Sequence, residues 1–413
     1  MTKTRALLVP AYMEQFTCIG SECEDTCCAG WQVEIDRATY KKYNKVHSDL
    51  KPSLDKYVKR NRTSKGDRDY ARIEMVSGSS CPMLNEEKLC NIQLKLGEAY
   101  LSNTCSTYPR VTNVVNGVYE KSATMSCPEA ARLALLNPNA IEFNESEESV
   151  EVRNAISRRI NTVSDEQHEP IAQYFWELRI FSIQVLQNRS YTLAERLIIL
   201  GLFYQKVENY IASSQIAQIP DLIASYTGLI QGNGVSDIIN EIPSLSIIQM
   251  ELLKGLVDER VIKGVRSQRY FDCFGEFLSG IQYTKESSVE EISSRYQAAY
   301  QNYYLPFMEN HEYVLENYLV NYVYVHLFPL GSGKDVFEEY IMMIIHYAMI
   351  KMHLIGVAGY HKEQFGLDHV IKLIQSLSKT IDHNLSYLRE VRELLHKNGF
   401  NTMAYMAILI KNN

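Results

Sequence analysis

The chain has 413 residues, 42 basic against 49 acidic side chains, and a formal net charge of −7. That balance argues against a general nucleic-acid coat or an anionic membrane surface as partner. Hydrophobic residues at 46% and charged residues at 22% are those of an ordinary globular protein, long enough for two or three domains. The opening MTKTRALLVP has an apolar run, 6–10, too short for the core of a signal peptide, so a cytoplasmic protein is expected.

Residues 1–136 read as an irregular domain of short elements organised round thiols. Eight of the nine cysteines lie between Cys18 and Cys127, and four fall in eleven residues as Cys18-x4-Cys23-x3-Cys27-Cys28. In a reducing cytosol, clustered cysteines are metal ligands or redox groups more often than disulfides. A soft metal needs several thiolates at short spacing that converge on one point. Cys18, Cys23 and Cys27 meet that need within one loop, whereas Cys28, beside Cys27, is expected to point away from it. Cys81 and Cys90 bracket a second loop, and Cys105 and Cys127 follow in SNTCSTYPR and MSCPEAAR. Proline directly after Cys81 and Cys127 stiffens the backbone, as it does near many cluster ligands. Eight thiolates suit two four-coordinate centres, or one cluster with supporting cysteines. Spacing leaves zinc and iron–sulfur both open. The separated CxxC knuckles of a zinc ribbon are missing, and so is the CxxxCxxC of radical enzymes.

The acidic, Asn-rich stretch 137–151 reads as a solvated linker between domains. From residue 152 the pattern is helical, and an all-α domain is expected over 152–413. In 191–211, Leu193, Leu197, Leu200, Tyr204 and Val207 recur at spacings of three and four, which puts them on one helix face. Thr192 followed by Glu195 predicts a capping box at its start. Segments 335–357 and 367–377 show similar periodicity. The longest greasy run, 341–358, contains His346, Lys351 and His353, and so predicts a buried helix with no membrane insertion.

Other signals carry less. Gly228, Gly232 and Gly234 follow no predicted strand and read as a loop, not as a dinucleotide fingerprint. Gly331-Ser332-Gly333-Lys334 has Asp335 where a phosphate loop has Ser or Thr, and reads as the approach to a helix. His346 and His353 share a helix face without an HExxH pattern, and are read as packed or exposed side chains.

The cysteine pattern, continued through CPML, CNIQ, LGE, LSNTCSTYPR and SCPEAAR, resembles the bacterial flagellin lysine N-methylase family, within a wider group of cysteine-rich metal-chelating proteins. The resemblance extends into LAERLIILGLF (193–203) and ENYLVNYVYVHLFPLG (316–331), and so spans most of the chain. It implies methyl transfer from S-adenosylmethionine to the ε-amines of surface lysines on flagellin, with a [4Fe–4S] cluster. The metal ligands it implies come from Cys18, Cys23, Cys27, Cys28, Cys81, Cys90, Cys105 and Cys127.

Methyl transfer sets its own demands. A lysine amine, with an ordinary pKa of about 10.4, must lose its proton before it attacks a methyl group, and a desolvating aromatic channel helps it do so. Tyr318, Tyr322 and Tyr324, or Trp31 and Tyr108, are candidates for such a channel, with Tyr108 and Tyr322 taken as the catalytic pair. The sulfonium donor is a cation that tyrosine faces and a carboxylate such as Glu98 or Glu120 can stabilise, while Arg110 suits an anion or a carboxylate. Two other classes compete: a zinc-stabilised protein-binding module without catalysis, and an iron–sulfur redox protein.

Overall fold

The computed structural model of the protein describes residues 3–30, 32–64, 66–76, 80–163, 170–232, 245, 247–249, 255, 264–265, 267–284, 286–331 and 335–411. Trp31, Gly234 and 332–334 lie outside them. The protein is mainly helical, with two small sheets in its first third.

The described strands, in chain order, are β1 (Thr4–Pro10), β2 (Glu34–Ile35), β3 (Val58–Arg60), β4 (Ala71–Ile73), β5 (Arg110–Val115), β6 (Val118–Ala123), β7 (Phe143–Ser149) and β8 (Ile156–Ile160). Five of them form one mixed sheet in the order β7-β1-β6-β5-β8, and three form another in the order β2-β4-β3. The β5–β6 hairpin turns at Asn116-Gly117, both with positive φ. That conformation suits a two-residue hairpin loop and these two residue types. The expected irregular domain is therefore replaced by two ordered sheets joined by cysteine-bearing loops.

The stretch expected to be a solvated linker supplies β7, which pairs antiparallel with β1 from Thr4↔Ser149 to Pro10↔Phe143. Its acidic side chains belong to an edge strand. Arg5 donates to Glu148 at 2.7 Å, and Lys121 of β6 pairs with the same carboxylate. Charge on an edge strand also blunts pairing with other chains.

The expected all-α domain over 152–413 is corrected at its start, where β8 (Ile156–Ile160) pairs parallel with β5 at the edge of the five-stranded sheet; beyond it the helices form where periodicity predicts them. Helix Leu193–Ala212 carries the Thr192–Glu195 capping box, and Leu193, Leu197, Leu200, Tyr204 and Val207 are all buried. Helix Val336–His361 runs through the centre of the core. It is long and apolar enough to cross a membrane, but the window that meets this test is buried throughout inside the protein. Several of its buried polar groups are answered internally. His346 and His353 donate from Nδ1 to the carbonyls of Met342 and Met349 at 2.7 Å, and Lys351 donates to the Ile410 carbonyl at 2.9 Å. Helix Gln268–Gly280 crosses it so closely that a Cβ on Gly280 would strike the Gly356 backbone, and one on Gly356 would strike Phe277.

Two main apolar cores result, with a small third cluster of Val115, Phe175 and Leu327. The larger gathers the helices with Tyr12, Phe16, Ala123 and Met125, so the five-stranded sheet and the helices share one interior. The smaller lies under the three-stranded sheet, around Ile35, Tyr43, Leu54 and Ile73. Cys81 is part of the small core and Cys28, Cys90 and Cys105 pack on it, while Cys127 packs on the large one. The cysteines thus lie along the seam between the cores.

Two polar connections fasten that seam to the helices. Glu120 of β6 receives Arg179 Nη1 on both carboxylate oxygens at 3.0 Å, with both side chains almost fully buried. Arg179 also lies over the Tyr324 ring, 4.4 Å from its centre. The second connection grips the cysteine loop. From helix Leu367–Ile381, Lys379 Nζ donates to Asp25 Oδ2 and to the Thr26 carbonyl, both at 2.8 Å. One turn earlier Gln375 donates to Asp25 Oδ2 at 2.9 Å and to the Ser126 carbonyl at 2.8 Å.

Removing one partner of a buried ion pair strands the other. Arg179→Leu is expected to lower unfolding stability by about 3–5 kcal/mol in urea titrations. Lys379→Met removes charge-assisted hydrogen bonds worth about 1.5–3 kcal/mol, so local opening of the loop becomes roughly 10–100-fold more frequent. Native-state amide exchange checks this: protection falls at residues 24–28 while the amides of helix Val336–His361 keep theirs.

Candidate functional site

The cysteine loop is built from short turns, a 3-10 turn at Gly20–Glu22 and then an extended Cys23, and so depends on tertiary anchors for its shape. Arg132, on helix Pro128–Leu135, holds Glu24 at 2.8 Å while Lys379 and Gln375 hold Asp25. Cys127 lies just before that same helix, whose first residue is Pro128. Cys90 occupies the equivalent position before helix Asn91–Leu96, and Cys105 lies within helix Asn103–Thr107.

These anchors wrap the thiols around a cavity of about 140 Å³. Cys18, Cys23, Cys27, Cys28, Cys90 and Cys127 line it, together with Phe16 and Tyr108. Cys81 and Cys105 are absent from this lining, yet both sit close enough to Cys28 to raise its thiol electrostatically. The Cys27 and Cys28 sulfurs are 3.9 Å apart. The expectation that adjacent side chains diverge is corrected here, because the turn at Thr26–Cys28 and the Cys28–Cys81 backbone bond bring both to the cavity. None of the nine cysteines, all of them among the described residues, is in a disulfide.

Burial pushes the thiols up: Cys81 and Cys127 to about 11, and Cys105 to about 12. Neighbouring thiols add to the rise at each of them. Cys27 moves the other way, to about 7, because the Cys28 thiol hydrogen-bonds it and Lys379 lies nearby. Cys81, Cys105 and Cys127, unlike Cys27, are thus held against ionisation, and a soft metal reverses that penalty by binding thiolates. Among the described residues, no three His, Cys, Asp or Glu side chains converge on one point at ligating distance. The donor set itself fits a sulfur-ligated group. Cysteine predominates round the cavity, and the one lining carboxylate, Asp25, is held by Lys379 and Gln375.

Tyr108 closes one wall. Its hydroxyl lies 3.1 Å from Ser126 Oγ, which lies 2.9 Å from His383 Nε2. His383 borders a second cavity, of about 180 Å³, with Tyr318, Asn321, Tyr322, His326 and Asp382. The two cavities therefore stand back to back across the Tyr108–Ser126–His383 chain.

In the second cavity, burial raises the Asp382 carboxyl to about 7 against the opposing Ser378 hydroxyl. Asp382 is also the residue that ends helix Leu367–Ile381, where the exposed carbonyls disfavour negative charge. Its Oδ1 accepts no hydrogen bond among the described residues, and His346 Nε2 faces it from 3.7 Å. Burial lowers His346 to about 4, so the ring is neutral at pH 7.

The predicted residues separate accordingly. Tyr108 and six of the cysteines meet at the first cavity, and Tyr318 and Tyr322 at the second. Tyr324 stands apart from that pair, with its hydroxyl on the Leu8 carbonyl at 2.7 Å. Glu120 is occupied by Arg179, away from both cavities. Arg110 lies over the Phe16 ring at 4.9 Å, behind the first cavity's wall. Glu98 is an exposed residue of a 3-10 turn and lines neither cavity. Sequence reasoning missed Asp25, Ser126, Lys379, Asp382 and His383. The available signal was an Asp-His pair closing a strongly periodic helix, a position where a carboxylate is locally unfavourable.

Comparison with known proteins follows this geometry. Over 386 residues, 91% of each chain, the sequence is 24% identical to proteins named lysine-N-methylase from Salmonella typhimurium and from Salmonella choleraesuis. Over 139 residues, 33% of this chain and 80% of the relative, it is 34% identical to the flagellar biosynthetic protein FliU of Salmonella muenchen. No solved structure matches. A family model described as the FliB lysine N-methylase C-terminal domain matches residues 179–409, which contain Tyr318, Tyr322, Gln375, Lys379 and Asp382. Because that match covers more than half of the chain, the protein belongs to the FliB lysine N-methylase family.

Proposed function

We propose that this protein is a protein-lysine N-methyltransferase that moves methyl groups from S-adenosylmethionine to surface lysines of flagellin. The observation that carries the reading is the pair of back-to-back cavities, one thiol-lined and one lined by tyrosines and Asp382, inside a chain similar over 91% of its length to named lysine-N-methylases. The similarity to a flagellar biosynthetic protein supports flagellin as the substrate. A reducing cytoplasm is the compartment that suits nine cysteines with no disulfide among them.

The thiol-lined cavity is the proposed seat of a [4Fe–4S] cluster, with Cys18, Cys23, Cys27, Cys28, Cys90 and Cys127 facing it and Cys81 and Cys105 in support. Zinc is the alternative for the same donors. When bound, an iron–sulfur cluster offers a site at which the donor's amino and carboxylate groups can be held. The chain's own part is to hold that site in place through Lys379 and Gln375 and to present the lysine from the other side of the Tyr108–Ser126–His383 wall.

Anaerobic incubation of the purified chain with S-adenosylmethionine and flagellin from the same organism tests the reading. Methyl-sized mass steps on flagellin lysines are expected, read by intact mass and peptide mapping, and they disappear in Cys27→Ser/Cys28→Ser. Unmodified flagellin from a preparation with confirmed iron and sulfide would sink it. Zinc without sulfide would then point to a binding module, and a reversibly cycling cluster to a redox protein.

A further inference from the structure

We infer that the cavity bordered by Tyr318, Tyr322, Asp382 and His383 is the acceptor site for the lysine side chain, and that Asp382 is the base that takes its proton. This rests on the methyl-transfer reading.

Size comes first. A cavity of about 150 Å³ accommodates benzene, and a lysine tail of four methylenes and an amine is of similar bulk. The cavity here is about 180 Å³. Tyr318 and Tyr322 provide aromatic walls against which methylenes pack and a methylated ammonium is stabilised.

Hydrogen-bond capacity comes second. The Met342 carbonyl can only accept, so His346 Nδ1 carries the proton that bridges them. In the neutral ring Nε2 is then a lone pair, and it faces Asp382 Oδ1 across 3.7 Å. Two acceptors confront each other, and Asp382 Oδ1 accepts no hydrogen bond among the described residues, although the Ser378 hydroxyl lies near the carboxyl. A buried acceptor without a donor costs about 1–3 kcal/mol, so the pair selects a ligand rich in N–H donors, which an alkylammonium is.

The charged groups around Asp382 favour the proton's departure from the amine. Arg158 lines the cavity while donating to the His326 carbonyl at 2.8 Å. Arg392, from helix Leu385–Lys397, lies near Tyr322 and His346 and bonds Glu339 at 3.2 Å. Tyr318 and Tyr322 stay protonated and His326 and His346 stay neutral near pH 7, all because of burial. His383 meets Ser126, and Lys379, next along the same helix, is turned to Asp25. Asp382 is thus the group facing the cavity whose titration falls at neutral pH.

The step balances. The lysine ammonium passes one proton to the Asp382 carboxylate and becomes a neutral amine. The nitrogen lone pair forms the new N–CH₃ bond as the S–CH₃ bond of the sulfonium donor breaks. Its electron pair stays on sulfur, which leaves as a neutral thioether, and the positive charge ends on the methylammonium.

The test compares the full-length protein with Asp382→Asn, a variant of equal size that cannot take the proton. Initial rates of flagellin methylation are followed against pH, and n-butylamine binding is followed by calorimetry. The carboxylate form must be present, so the wild-type rate rises with pH through an inflection near 7. In Asp382→Asn the rate at neutral pH is expected to fall about 100-fold, as for loss of a general base, and the inflection to vanish. Butylamine binding weakens about tenfold, with metal content and S-adenosylmethionine binding unchanged and the melting temperature not lowered, since the Asn amide brings a donor to His346 Nε2. A variant that keeps both the rate and the inflection overturns the role of Asp382 while leaving the methyltransferase reading intact. A wild-type chain that binds butylamine in an Asp382-dependent way but transfers no methyl overturns the methyltransferase reading and leaves the amine site standing.

Discussion

The grip of Lys379 and Gln375 on the cysteine loop is the constraint from which the rest of the site follows. A loop dense in thiols has little apolar surface of its own and no regular hydrogen-bond ladder to fix it. Lys379 is 4% exposed, so its charge requires a partner, and Asp25 provides one. Residues 375 and 379 are four apart on one helix and therefore share a face. That spacing sets the register of the loop against the helix and decides which thiols face the cavity. The same Gln375 amide holds the Ser126 carbonyl, and the Ser126 hydroxyl meets His383 just beyond the same helix. One helix thus determines one wall of each cavity.

The two cavities make opposite electrostatic demands. The thiol cavity becomes more favourable when a cation is present, because burial and mutual proximity raise lining thiols such as Cys23, Cys28 and Cys127 and a bound soft cation reverses that penalty. The tyrosine cavity contains a carboxylate raised by burial and a neutral imidazole facing it, and suits a group that arrives charged and leaves its proton behind. Keeping the two apart with a hydroxyl–hydroxyl–imidazole chain places no fixed charge in the partition at neutral pH.

The helices were legible in the sequence because their apolar residues repeat at the helical period and their caps are local. Thr192–Glu195 and the run beginning at Val336 needed no tertiary information. The sheets were less legible. The Asn116-Gly117 hairpin carried a standard turn signal that was overlooked, whereas β7 carried none, since its side chains are charged and its identity as a strand depends on β1 beside it. Of the cysteines that line the thiol cavity, Cys18, Cys23 and Cys27 were legible as one group from spacing, whereas Cys28, Cys90 and Cys127 join them only through folding. The second cavity was not legible, because its walls come from residues near 125, 158, 320 and 382, and only folding brings them together.

Local rules are broken where the chemistry is proposed, and the surrounding structure over-determines each exception. Cys27 and Cys28 lie side by side with their sulfurs 3.9 Å apart, an arrangement held by the Thr26 turn and the Cys81 backbone. Asp382 closes a helix at the end that disfavours its charge, beside an imidazole that cannot donate to it. Away from the two cavities, Glu120 is answered by Arg179, His353 by Met349 and Tyr270, and Lys351 by Ile410. Facing acceptors in one cavity and crowded thiols in the next are each costly to stability. The cost of each is removed by what the cavity is built to receive, a donor-rich cation in the one and a thiophilic cation in the other.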